Sequence, residues 1–148
     1  MASFELELPT ELIEQCQRIY DDTDKIFGGM TKAAAKNVKK NVISNLPKGL
    51  RTAKFKKNIK MTKTYKTPSD DGINNKIVIS GYFINEKGEK VPAPLVANMF
   101  EYGSTKRHGK YLRGATKYPF FRKSFKSDEI TKIMMEEQKR LSGGLLDE

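Results

Sequence analysis

Apolar residues recur every third or fourth position over two stretches near the N-terminus, and each stretch predicts an amphipathic helix. Pro9-Thr10-Glu11 opens the first, with acids in the opening turn where the helix dipole favours them. Leu12, Ile13, Cys16, Ile19 and Tyr20 share its apolar face, which makes Cys16 a small core residue and not a nucleophile. Gly28-Gly29 reads as a break or hinge; the alternative is a helix that continues at a cost of about 1 kcal/mol per glycine. Met30, Ala34, Val38, Val42 and Leu46 then recur every four residues, so a second helix spans Thr31 to about Asn45 and stops at Pro47. Lys32, Lys36, Lys39 and Lys40 lie off that stripe and form its wet face.

Past Gly49 the period changes to two. Ile59, Met61, Lys63 and Tyr65 alternate with Lys60, Thr62, Thr64 and Lys66, which predicts a strand from Asn58 to Thr67. Turn residues follow (Pro68, Ser69, Asp70, Asp71, Gly72), then a second strand from Lys76 to Ile84, paired antiparallel with the first. For Asn85 to Val91 both a hairpin tip and a loose loop stay open, with Lys87-Gly88-Glu89 favouring a turn. Val96, Met99 and Phe100 share one face of a short helix ended by Gly103. Pro119 biases Tyr118 away from helix, and a C-terminal helix runs from about Phe121 to Leu141. Its inward candidates are Phe125, Ile130, Ile133, Met134 and Leu141. Tyr118, Phe120, Phe121 and Phe125 crowd at the elbow between the helices, so distant parts of the chain are fastened there. At least two of Phe120, Phe121 and Phe125 are expected to be buried against the sheet and the Met30–Leu46 helix.

These elements predict an α+β fold: N-terminal helices and a C-terminal helix packed on one side of a small, mainly antiparallel sheet. Residues 1–148 form one domain, with 1–8 and 143–148 disordered and 104–117 a basic, mobile loop. A hydrophobic content of 37% with 31% charged residues and no Trp suits a modest core under a large polar surface. No apolar run reaches the length of a membrane span, and the N-terminus lacks the order of a signal peptide. One Cys and one His cannot build a zinc cage, and no cofactor is expected.

The net charge of +10 is unevenly placed. Residues 1–27 carry seven acids against two bases, and residues 128–148 six against three. The stretch between carries 23 bases against five acids, an excess of +18. Two acid-free runs, Arg51–Lys66 and Lys106–Lys126, would attract polyanions. Lys54, Lys56, Lys57, Lys106, Arg107, Lys110 and Arg113 are the candidates to face DNA.

Catalysis is not expected. Asp70-Asp71 and Glu136-Glu137 are neighbours whose side chains point apart, and His108 has no adjacent carboxylate in sequence to orient it. Ser104-Thr105 after Gly103 is a weak anion-binding signal. Glu101 is the more informative acid: in so basic a chain it should find a cation, and the planar fork of Arg122 suits a bidentate pair.

Glu101-Tyr102-Gly103-Ser104-Thr105 followed by Pro119-Phe120-Phe121-Arg122-Lys123-Ser124-Phe125 resembles a family of phage neck proteins, the head–tail joining or tail-completion proteins of long-tailed double-stranded DNA phages. That family carries Glu-aromatic-Gly-Thr/Ser, a variable loop, then Pro-Phe-Leu-Arg-Pro-Ala-Phe before a C-terminal helix. Here Phe121 stands in place of Leu, and Lys123-Ser124 in place of Pro-Ala. Pro47-Lys48-Gly49-Leu50-Arg51 looks like a shortened form of the family's Pro-x-x-Thr-Gly-x-Leu-Arg, without the Thr. The resemblance covers roughly residues 30 to 140, in the same order.

The resemblance implies a structural virion protein, seated as a hexameric ring between the connector or stopper and the tail terminator or tail tube, with DNA passing through. The location it implies is the virion neck, reached from the host cytoplasm during assembly. Glu101, Tyr102, Gly103, Pro119, Phe120, Phe121, Arg122 and Phe125 are then the assembly and anchor candidates. The alternative class is a free-standing nucleic-acid-binding protein using runs 51–66 and 106–126; a nuclease lacks a carboxylate cluster to hold its metal.

Overall fold

A computed structural model of the chain describes residues 9–103 and 117–143. The expectations for residues 1–8, 104–116 and 144–148 fall outside these, including His108 and the candidates Lys106, Arg107, Lys110 and Arg113.

The fold is α+β, but one long helix replaces the two expected at the N-terminus. Helix α1 runs unbroken over Thr10–Ser44, through Gly28 and Gly29. Gly29 sits at a close approach, whereas a Cβ at Gly28 would make only ordinary contact with Thr64, at 3.5 Å. A Cβ built at Gly29 would overlap Leu141 of the C-terminal helix α4 (Ser127–Ser142), so the missing side chain leaves room for Leu141. Helix α4 lies antiparallel to α1, its start tied to Asn37 and Asn41 through Glu129 and its end resting on Gly29. It packs chiefly on α1. It also begins later than expected, because Arg122–Ser124 forms a separate 3₁₀ turn and Phe125-Lys126 is extended. Gly143 closes α4 in the left-handed conformation, donating its N–H to the Lys139 carbonyl.

The two halves of α1 have opposite fates. Met30, Ala34, Val38, Val42 and, just past the helix, Leu46 are buried, as their four-residue spacing requires. The expected core face nearer the N-terminus is not covered: Leu12 is 46% exposed, Ile13 51% and Tyr20 78%, and Cys16 is exposed as well. Helix α4 ends level with Gly29, so it does not reach these positions.

Among the described residues, six short strands form three antiparallel ladders instead of one continuous hairpin. Strands β1 (Ile59–Met61) and β4 (Ile77–Ile79) pair Ile59 with Ile79, whereas β2 (Tyr65–Lys66) and β3 (Ile73–Asn74) pair Tyr65 with Asn74. The break between these ladders is bridged by Asn75, whose amide donates to the Thr62 carbonyl and accepts from Thr31 of α1 and from Thr64. This contact docks the hairpin on the long helix. The second expected strand also splits, at Gly81 (φ +86°), where the chain passes the buried Asn58. Beyond it β5 (Tyr82–Ile84) pairs with β6 (Lys90–Pro92), so Asn85–Val91 belongs to a hairpin. The Asn85 side chain holds that turn by accepting from the N–H groups of Lys87 and Glu89.

Between α1, the ladders and helix α3 (Ala93–Tyr102) lies one apolar core: Val38, Val42, Leu46, Leu50, Phe55, Ile59, Val91, Ala93, Val96, Ala97 and Phe120. Phe55 sits on α2 (Ala53–Lys56), capped at its start by Thr52, and meets Phe83 edge-on at 5.4 Å. Arg51 turns back to donate to the Leu46 carbonyl just past α1.

Candidate functional site at the aromatic elbow

The elbow is built on the end of α3. Val96, Ala97 and Met99 bury its apolar face, and this carries Glu101, an acid, to 5% exposure. A buried carboxylate must be paired or hydrogen-bonded. Glu101 accepts three bonds from across the loop: the N–H of Phe121 at 2.9 Å, the N–H of Arg122 at 3.1 Å, and Arg122 Nε at 2.9 Å. The guanidinium engages through one nitrogen, Nε to Oε1, and not as the expected bidentate fork; the other carboxylate oxygen accepts from the Phe121 N–H. Arg122 is half exposed and lies over the Tyr102 ring, 5.2 Å from its centroid. Ile79, Pro94, Ala97, Asn98, Phe120 and Phe121 complete a shallow hollow of about 270 Å³ beside Glu101. Each of the two Glu101 carboxylate oxygens accepts at least one of these bonds.

Gly103 and Lys117 hold the two ends of segment 104–116 together. Tyr118 donates its N–H to the Phe100 carbonyl at 2.6 Å, and a Cβ on Gly103 would lie 3.1 Å from that of Lys117. With φ +78° and ψ 156°, Gly103 occupies a backbone region open essentially to glycine alone, not the ordinary left-handed cap. Gly103→Ala is expected to cost about 1–3 kcal/mol and to lower the melting temperature by several degrees. An unchanged thermal melt would show that the chain relaxes freely at this point.

The aromatics divide by depth. Phe120 is 1% exposed, and Phe121 is partly buried against it with the rings edge-on. Phe125 is 48% exposed and so is not the core anchor expected; it leans on the Phe121 ring at 5.3 Å. Extended backbone after the 3₁₀ turn carries it outward. Pro119 is half-buried and Tyr102 largely exposed.

A polar seam binds the elbow to α1. Asn45 donates to Ser124 Oγ, Asn41 to the Ser124 carbonyl, and both Asn37 and Asn41 to Glu129. Ser124 is fully buried and donates its hydroxyl to the Phe120 carbonyl at 2.6 Å. The donated Asn41 and Asn37 amides, then Lys126, hold the Glu129 carboxyl below its ordinary range. None of these residues stood out in the sequence. Their signal was three asparagines at four-residue spacing, each directly before a core position of the helix stripe.

Of the DNA-facing candidates among the described residues, Lys54 and Lys56 lie on α2 and Lys57 follows it, all exposed. Among the described residues no group of three or more His, Cys, Asp and Glu comes together, and no helix is long and apolar enough to cross a membrane. No protein-family model, curated protein or solved structure matches the chain.

Proposed function

We propose that this protein is a structural subunit of a phage neck, joining the head connector to the tail within a hexameric ring through which DNA passes. Its neighbours on this reading are the connector or stopper and the tail terminator or tail tube, and it performs no catalysis. It acts in the virion and is assembled in the host cytoplasm.

The observation that supports the reading best is the Glu101 clamp. The two halves of the signature that resembles the neck family are separate in sequence, yet Glu101 ties them together through two backbone amides and Arg122. An acid used this way fastens a loop base and leaves nothing to turn over. The uneven charge agrees with it: acidic end segments and a basic middle let the face of one subunit meet the opposite face of the next.

The second reading, a free-standing nucleic-acid-binding protein, draws on exposed Lys54, Lys56 and Lys57. Light scattering across protein and salt concentrations, beside a DNA titration, separates the two. A closed oligomer that binds DNA weakly is the expected result. A monomer whose DNA affinity falls steeply with salt, about 0.9 in log–log slope per phosphate contacted, would sink the neck reading.

A further inference from the structure

The N-terminal half of α1 carries an amphipathic stripe that the other described residues leave exposed. Leu12, Cys16, Tyr20 and Phe27 continue, at helical spacing, the line that Met30, Ala34 and Val38 bury farther along. From Thr10 to Thr23, ahead of the Asp24–Lys66 ion pair through which the β2–β3 hairpin reaches the helix, this length is roughly 21 Å at 1.5 Å per residue. Pro9 offers no side-chain cap to its start. Helix this poorly supported is marginal alone, and its contiguous apolar face marks a docking surface.

Two features identify the occupant. The first is charge: from Pro9 to Phe27 the helix bears five acids (Glu11, Glu14, Asp21, Asp22, Asp24) against two bases. Two such helices repel each other, which disfavours symmetric pairing and calls for a basic apolar partner. The second is that this same chain presents one. A groove of about 590 Å³ opens between α2, the β5–β6 hairpin and α3, lined by Leu50, Phe83, Ile84, Val96 and Phe100. Of its charged lining residues Lys54 and Lys87 are basic and Glu86 is acidic, and the α2 segment behind that wall, residues 48–57, adds Lys48, Arg51, Lys56 and Lys57 with no acid. An unbroken helix cannot turn back into its own groove, so the match is between copies.

We infer that the N-terminal half of α1 docks into the α2–α3 groove of a second copy of this chain, a head-to-tail contact that repeats from subunit to subunit. The interface rests on the self-association contained in the proposed function, and not on where a ring sits in a particle. Leu12, Ile13 and Tyr20 fill the apolar floor. The acids beside them face the lysines of the α2 wall and set register and encounter rate, so the contact weakens as salt screens it.

Cys16 supplies the test, because it is the single cysteine of the chain and lies on the docking face. In full-length Ala53→Cys, with the new thiol at an exposed position lining the groove, oxidised glutathione should yield a ladder of covalent dimers and higher oligomers. Adding Cys16→Ser should abolish the ladder, and the unaltered chain should give no more than traces of Cys16–Cys16 dimer. Independently, Leu12→Glu with Ile13→Glu should leave helicity and melting temperature unchanged while weakening self-association at least 100-fold. Efficient Cys16–Cys16 dimers, oligomers that survive the double substitution, or a chain that is monomeric at every concentration would each overturn the inference. Closed rings without the ladder sink this interface and leave the neck reading standing. A ladder in a protein whose DNA affinity falls steeply with salt leaves the interface standing and sinks the neck reading.

Discussion

Phe120→Ala is expected to unfold the protein or leave it insoluble, where Phe125→Ala is tolerated. Phe120 is 1% exposed within the cluster that also holds Val38, Val42, Leu46 and Phe55, so truncating it opens a cavity on the shared face of α1 and the ladders. Such a change costs about 3–5 kcal/mol, against a total stability of about 5–15 kcal/mol for a domain. The neighbouring T-shaped contact with Phe121 goes with it. Phe125 is nearly half exposed and loses chiefly its contact with the Phe121 ring, at a cost of about 1 kcal/mol. Chemical denaturation of both variants reads the difference. If the two lose equal stability, or Phe120→Ala melts with the parent, the elbow is not anchored through Phe120.

Glu101→Ala should rank next and should exceed Arg122→Ala clearly. The carboxylate satisfies two backbone N–H groups as well as Arg122, and removing it leaves both amides without their acceptor. Both bonds are part-buried, and an orphaned donor costs about 1–3 kcal/mol, so the two amides together account for at most about 2–6 kcal/mol. Glu101→Gln does not restore it, because the amide nitrogen would point a donor at donors. Glu101→Asp is one methylene short of the loop. Arg122 is half exposed and contributes one of the three bonds, so its removal costs about 1 kcal/mol. Tryptic cleavage after Lys117, Arg122 and Lys123 should quicken in the Glu101 variants, since the elbow is released from α3. Equal losses for Glu101→Ala and Arg122→Ala would mean that the ion pair, and not the backbone amides, holds the elbow.

Much of this was legible in the residues themselves. The four-residue stripe from Met30 to Leu46 fixed which side of α1 is inside, because only one face of a helix can be wrapped by a small core. Gly103 and Pro119 marked the two ends of the elbow, since each restricts its own backbone whatever surrounds it. An isolated acid in a basic stretch pointed Glu101 toward Arg122, the cation it reaches. Period two from Ile59 to Lys66 and the apolar, β-branched stretch from Lys76 to Ile84 marked where β1, β2, β4 and β5 lie, while Asn85–Val91, where the last strand begins, stayed open.

What the sequence could not contain was whether a predicted face meets a partner. Leu12, Cys16 and Tyr20 have the same four-residue spacing as Met30, Ala34 and Val38, yet α4 ends at Gly29 and leaves the first set in solvent. Gly28-Gly29 read locally as a break. Leu141, more than a hundred positions away, reaches with its side chain into the space that a Cβ at Gly29 would take. The strands split into three ladders because Asn75 ties the hairpin to Thr31 of α1 and Gly81 redirects the chain past Asn58, contacts that exist only once the helix is in place. Phe120 and Phe125 are the same residue type five positions apart, and an extended turn of backbone alone decides which is core. Local pattern determines the period and apolar face of each element. Burial depends on what arrives from elsewhere in the chain, and only the tertiary structure settles that.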